Sequence, residues 1–327
     1  MKSFFKNIFL LVLAICIAGF IYPQYSMGKT VKFAHLSDLH TSHKTQISGN
    51  RMHPNSIELT KDAISQVNEI PNLDFVVITG DGIDYPNADL LKELGENLAT
   101  LNKPYYYAIG NHDVSVDYSK DKFIKVLSKT NPYKTFDKPY YSTILKKDFK
   151  LIVLDGASDT SITTNGYIDE KQLKWLDEQL KESQDKVVMI FLHFPLQEPF
   201  SSHSHRIKNK NAVDAILAKY SMPIAIFSGH YHVTRIIQKG NILHVSTPSM
   251  IMYPNAFRVV TVHDFKDRVV FDFEFKETNL KEIQKTSKLL TISDGLAYGT
   301  ETDRINSITL YKQTSDMKKE MQGNEQR

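Results

Sequence analysis

Residues 31–40 read Val31-Lys32-Phe33-Ala34-His35-Leu36-Ser37-Asp38-Leu39-His40. Val31 to Leu36 is a short apolar and β-branched run that ends at Ser37-Asp38, two residues before His40. Near-continuous apolar runs of this length read as strands buried on both faces. The same figure recurs along the chain. Asp74 to Thr79 precedes Gly80-Asp81, Tyr105 to Ile109 precedes Gly110-Asn111-His112, and Leu151 to Leu154 ends at Asp155-Gly156. Val187 to Leu192 ends at His193, and Ile224 to Phe227 ends at Ser228-Gly229-His230. Helical spacing fills the intervals: Pro54 to Glu69, Asp169 to Ser183 and Asn211 to Tyr220. Strand–helix alternation predicts an α/β fold with layered sheets. In open α/β sheets ligands bind beyond the carboxyl ends of the strands, and that is where these Asp, Asn and His residues fall.

The later sequence changes character. Asn241 to Ser246, Arg258 to Val262 and Val269 to Phe275 read as an antiparallel meander belonging to a second sheet. A helix over Leu280 to Leu290 and a short strand over Ile305 to Tyr311 follow, and residues 313–327 are polar enough to be expected without fixed structure. At the other end, Lys2 and Lys6 precede an apolar stretch from Ile8 to Tyr22, and Ser26-Met27-Gly28 supplies small residues. That is the order of a secretory signal. Phe4 and Phe5 extend the stretch towards the about 20 residues of a membrane span, so residues 4–22 could equally be a retained anchor. Either way, the expectation is export from the cytoplasm. The resulting organisation is 1–28 signal peptide or anchor, 29–276 catalytic domain, 277–312 C-terminal extension and 313–327 tail.

Composition narrows the partners. The 40 basic and 37 acidic residues give a net charge of +3 and are interspersed, so no basic run invites nucleic acid. The single cysteine, Cys16, lies in the N-terminal apolar stretch, which leaves the rest without disulfides or thiolate metal sites. Bulky Ile15 before it is unlike a lipoprotein signal.

Five segments carry the chemistry: Asp38-Leu39-His40, Gly80-Asp81-Gly82-Ile83-Asp84, Gly110-Asn111-His112-Asp113, Leu192-His193 and Gly229-His230-Tyr231-His232. Their donors are imidazole nitrogens and carboxylate or amide oxygens, a set suited to divalent first-row metals doing hydrolysis. Asp38 and His40, two apart, point to one side of an extended segment, as do His230 and His232. The two oxygens of Asp81 can bridge ions about 3.5–4 Å apart.

In order and spacing these blocks resemble the calcineurin-like metallophosphoesterase family, whose motifs run D-x-H, G-D-x-x-D, G-N-H-D/E, H and G-H-x-H. The resemblance covers roughly Val31 to Phe275. The stretch His244 to Met250, ending Thr247-Pro248-Ser249, is most similar to the bacterial cyclic-nucleotide phosphodiesterases of that family. What the resemblance implies is specific. The fold would be a layered α/β/β/α sandwich of two mixed β-sheets flanked by helices, with the metal site at the carboxyl ends of the strands. Two divalent ions (manganese, iron, zinc or cobalt) would be held, one by Asp38, His40, Asp81 and His232 and the other by Asp81, Asn111, His193 and His230. A hydroxide bridging them would attack a small phosphoester, with His112 as general acid or transition-state stabiliser and Asp84 hydrogen-bonded to its other ring nitrogen. Asp113 would shape the loop.

Departures separate subfamilies. Protein phosphatases carry an arginine where Ile109 stands, and purple acid phosphatases a tyrosine where Asp84 stands. Phe194-Pro195 replaces the second histidine that many relatives have after His193. A non-catalytic scaffold and a family nuclease are the alternatives. His35, His43, His53 and His244 are expected to be packing or surface residues, Tyr105-Tyr106-Tyr107 strand packing, and His203 with His205 part of a polar loop beside the site. Substrate choice is expected from the loops Ser42 to Pro54, Ser158 to Ile168 and Glu198 to Asn211.

Overall fold

The computed structural model describes residues 29–312, so the expected signal or anchor and the polar tail lie outside the described residues. Strands β1 (Lys29–Leu36), β2 (Phe75–Thr79) and β3 (Tyr105–Ala108) run parallel in one sheet. Strands β4 (Tyr141–Leu145), β5 (Phe149–Val153), β6 (Val187–Phe191) and β7 (Ile224–Ser228) open a second, in which only β4 is antiparallel to its neighbour among these four. The chain then continues through β8 (Arg235–Lys239), β9 (Ile242–Ser246), β10 (Ala256–Asp264), β11 (Arg268–Glu277) and β12 (Asn306–Tyr311). The final orders are β12-β11-β10-β1-β2-β3 and β4-β5-β6-β7-β9-β8, two mixed six-stranded sheets.

One expectation about the later strands is corrected. They do not form one meander in one sheet. β9 pairs parallel with β7, while β10 lies antiparallel to β1 and makes a hairpin with β11. The reason is the tight turn at Gly240, whose φ of +57° suits glycine. It folds β8 outward as an edge strand and returns β9 into the parallel sheet. Residues 247–255 then cross to the other sheet.

Helices α1 (Ser56–Glu69), α2 (Ala88–Leu98), α3 (Lys120–Thr130), α4 (Glu170–Lys181) and α5 (Lys210–Leu217) cover the outer faces. Side-chain alternation assigns each strand face to its layer. Val31 and Phe33 of β1 lie in the layer between the sheets with Phe75, Phe191 and Phe227, whereas Ala34 and Leu36 pack with the helices. Phe33 stacks on Phe75 at 5.0 Å and meets Phe191 and Phe227 edge-on at 5.5 and 5.2 Å. The result is the α/β/β/α order. Strands β2, β3, β5, β6 and β7 are buried throughout.

The C-terminal stretch adds α6 (Lys281–Leu290), α7 (Asp294–Tyr298) and α8 (Glu301–Arg304) before β12 closes the first sheet on β11. Asp303 accepts from the Ile236 amide at 2.8 Å, and buried Arg258 donates to the Asp303 and Ser246 carbonyls. Among the described residues, no helix is long and apolar enough to cross a membrane.

Candidate metal centre

The turns that follow β1, β2 and β7 hold an unusual backbone. Asp38, His40, Asp81, His230 and His232 all have positive φ, between 44° and 71°. Non-glycine residues in that region cost about 1–3 kcal/mol each and cluster at functional sites. They are held by neighbouring turns: the Asp38 amide donates to the Gly80 carbonyl at 3.1 Å and the His40 amide to the Asp81 carbonyl at 2.9 Å. Close approach explains two glycines. A Cβ on Gly110 would collide with the Asp81 carboxylate and amide, and one on Gly229 with Ser37 and Asp38.

Asp113 is fully buried and ties these turns together. Its carboxylate accepts from the amides of Asp81 (3.0 Å), Gly82 (2.9 Å) and Gly110 (2.8 Å) and from the Tyr107 hydroxyl (2.9 Å). Ser249 and Ile251 both donate to the Asp38 carbonyl, and Thr247 meets the buried His35 ring at 2.6 Å. The Thr247-Pro248-Ser249 stretch therefore braces the first strand.

The side chains converge in two groups that meet at Asp81. Ligand atoms of Asp38, His40 and His232 lie within 4.8 Å of one another, and so do those of Asp81, His193 and His230. Oδ2 of Asp81 is 3.7 Å from Nε2 of His40 and 3.3 Å from Nε2 of His193, so one carboxylate oxygen faces both groups. His232 Nε2 is 3.0 Å from Asp38 Oδ1, and His230 Nδ1 is 3.1 Å from His193 Nε2. The Nδ1 of His193 donates to the Thr79 carbonyl at 2.7 Å, which leaves Nε2 for the site.

Whether cations suit this cradle is decided by its unsatisfied atoms. Both ring nitrogens of His40, Nε2 of His230 and Oδ1 of Asn111 are buried without a hydrogen-bond partner. Buried polar atoms are almost always partnered, and three such groups side by side match a donor set awaiting a positive ion. The charge states agree. Burial holds His40 well below its ordinary pKa against the pull of Asp81, and does the same for His230, helped by His193, so both rings are neutral and able to serve as metal donors. Burial alone would lower His193, but the Asp81 carboxylate raises it to about 9. Burial would raise Asp81, yet His193 and its neighbours hold it well below the carboxylate range. Asp81 and His193 would be able to hold a divalent cation with the imidazole in its neutral form.

Residues 31–234 match the family model described as calcineurin-like phosphoesterase. The chain belongs to that family. A probable glycerophosphodiester phosphodiesterase of Arcobacter nitrofigilis is 26% identical over 224 residues, covering 65% of this chain and 77% of that protein. A 3′,5′-cyclic-nucleotide phosphodiesterase of a Nostoc species is 26% identical over 181 residues, covering 55% of this chain and 63% of that one. The fold is similar to a dimetal phosphatase from Danio rerio, with a TM-score of 0.62 at 17% identity over 86% of this chain and 99% of the other.

Within this phosphoesterase site, one assignment needs correction. His112 Nδ1 donates to the backbone carbonyl of Asp84 at 2.6 Å, not to its carboxylate. The Asp84 carboxylate is bonded instead to Lys44 at 2.7 Å and His53 at 3.0 Å, with its Oδ1 3.8 Å from Nδ1 of His40. Burial opposes its charge, but the hydrogen bonds and charge interactions with Lys44 and His53 outweigh burial and lower its pKa. Asp84 offers two acceptors to its surroundings, and the spacing G-D-x-x-D does not say which one meets His112. The His112 amide donates to Asp81 Oδ1 at 2.8 Å, which fixes the backbone beside the shared carboxylate.

His53 and Tyr107 are site-supporting residues that the sequence presents as ordinary packing. His53 stands alone with no spacing partner. Tyr107 differs from its tyrosine neighbours only in what its hydroxyl reaches. His205 does lie beside the site, its ring 5.2 Å from that of His230 with Nδ1 facing the Ser202 and Ser204 hydroxyls at 3.0 Å. Phe194 packs its ring 4.7 Å from His230. A cavity of about 700 Å³ opens beside Asn111 and His112, with the 158–164 loop as its far wall.

Proposed function

We propose that this calcineurin-like phosphoesterase binds two divalent metal ions and hydrolyses phosphodiesters in preference to monoesters. The observation that carries the reading is the single Asp81 oxygen facing two groups of buried imidazole and carboxylate donors. Asp38, His40, Asp81 and His232 would hold one ion, and Asp81, Asn111, His193 and His230 the other. When bound, such ions polarise phosphoryl oxygens and bring a water's pKa towards neutrality. The nitrogen and oxygen donors suit manganese, iron, zinc or cobalt.

The chain's own residues supply the rest. Donation from Nδ1 to the Asp84 carbonyl orients the His112 ring towards the site, and as an imidazolium it would hand its Nε2 proton to the departing oxygen and be left as the Nδ1–H imidazole. Water adds to phosphorus, the P–O bond to the alcohol breaks, and that alcohol leaves protonated. A diester is favoured by the space beside His112, which exceeds what a phosphoryl group needs, and by Ile109 standing where protein phosphatases carry an arginine. Diesterases among the relatives point the same way. Export, through the N-terminal segment with Lys2, Lys6 and the apolar residues 8–22, belongs to the same proposal, and cell fractionation checks it.

Bis(p-nitrophenyl) phosphate turnover by His112→Ala and Asp81→Ala tests the reaction. His112→Ala should lose about 10²–10⁴-fold in kcat, the usual contribution of a general acid. Wild-type rates in both variants would remove the reading.

A further inference from the structure

The cavity beside His112 has a character that the hydrolytic centre does not require. Its inner end is Asn111 and His112, and its walls are Tyr85, Val114 and Ile162 together with the hydroxyls of Ser115, Ser158 and Ser161. The Tyr85 ring and the almost fully exposed Ile162 (93%) add apolar surface to the lining from two different loops. None of the lining side chains is lysine or arginine. The one carboxylate, Asp84, is buried and already bonded to Lys44 and His53. The nearby ammonium groups are also engaged: Lys44 on Asp84 while lying 5.8 Å over the Tyr85 ring, and Lys120 on Asp155 at 2.6 Å.

We propose that this cavity receives the departing alcohol and selects one that is uncharged, ring-bearing and of about nucleoside size. The inference rests on the phosphodiesterase reading above, because the group protonated by His112 must lie on the His112 side of phosphorus. Size follows from volume. About 700 Å³ is within the roughly 300–1,000 Å³ of sites for drug-sized ligands, and methanol or glycerol would leave most of it to water. Charge selection follows from the lining. A phosphate carried by the departing group would find no lysine or arginine among the lining side chains and would forgo the charge-assisted hydrogen bonds that phosphate sites provide. The neutral hydroxyls suit ribose-like hydroxyls, and the tyrosine face suits a base, whose stacking is tolerant of base identity.

The test compares a dinucleoside monophosphate with the same compound carrying terminal phosphates on both nucleosides, with bis(p-nitrophenyl) phosphate as reference. The wild-type protein should favour the uncharged compound by about tenfold or more in kcat/KM. Ser161→Arg, which adds a guanidinium to the wall, should shrink or invert that ratio. Adenosine titrated into the protein by calorimetry should bind saturably, and Tyr85→Ala should weaken it about fivefold or more. Equal or greater efficiency on the terminally phosphorylated compound, or adenosine binding indifferent to Tyr85→Ala, overturns the proposal. If the reference diester itself is not turned over, the parent reading falls instead, and the adenosine titration still decides the cavity.

Discussion

Arg51 shows how much a single side chain can add that its position in the sequence conceals. It sits in the segment 48–53, which is fixed from both sides. The Arg51 amide donates to Ser48, the Met52 amide to Ile251 at 2.9 Å, and His53 reaches Asp84. The guanidinium makes no hydrogen bond or ion pair with another described residue, yet it helps burial to lower His40, His53 and His205. A guanidinium with no partner among the described residues, close enough to lower these site histidines, would be available to the substrate phosphate. Arg51→Ala should therefore raise KM for a phosphodiester about tenfold with a smaller effect on kcat, the size expected for a charge-assisted hydrogen bond. Steady-state kinetics decide it, and an unchanged KM would refute the role. The ligand-type residues were legible because each follows a buried strand at a telling spacing. His53, Lys44 and Arg51 were not, because their partners are fixed by loop geometry and not by periodicity.

At the scale of elements, the legible parts are the strands buried on both faces and the helices with regular apolar spacing. The helix Ala88–Leu98 lies outside those named from the sequence, although Leu90, Leu91, Leu94 and Leu98 are buried at helical spacing. The edge strands β4 and β8 lie outside them too, since half-exposed residues blur the alternation that marks a strand. The C-terminal extension is held by Asp303, whose carboxylate closes a capping box with Thr300 and accepts from Ile236. Asp303→Ala should cost about 1–3 kcal/mol in denaturant unfolding, because it leaves buried donors unmet. Burial would raise the Asp303 pKa, but the Thr300 and Ile236 donors and Arg235 lower it. A carboxylate with a depressed folded pKa stabilises above its unfolded value and loses that contribution as pH falls through the folded one. The gap between wild type and Asp303→Ala should thus be constant from about pH 5 to 8 and shrink below about pH 4. A gap that widens in acid would contradict the assignment.

For the whole molecule, the decisive feature is the aromatic layer that joins the sheets. Phe33 contacts Phe75 in its own sheet and Phe191 and Phe227 in the other, and it lies five residues before Asp38, which stands in the turn after the same strand. Phe33→Ala should destabilise by about 3–5 kcal/mol, read from urea unfolding. A loss below about 1 kcal/mol would mean that the sheets are held elsewhere. The sequence shows why both sheets exist but not their order. β1 is flanked by β10, more than two hundred residues later, and local patterning carries no record of so distant a partner.

The central claim is that the two donor groups sharing Asp81 hold two catalytic ions. Metal content per chain, measured alongside bis(p-nitrophenyl) phosphate turnover for wild type, metal-stripped protein and Asp81→Ala, tests it most directly. The account predicts two ions per chain in the wild type, turnover that disappears on stripping and returns with about two equivalents of metal, and loss of both metal and turnover in Asp81→Ala. Undiminished turnover in stripped protein, or full metal content in Asp81→Ala, would contradict it.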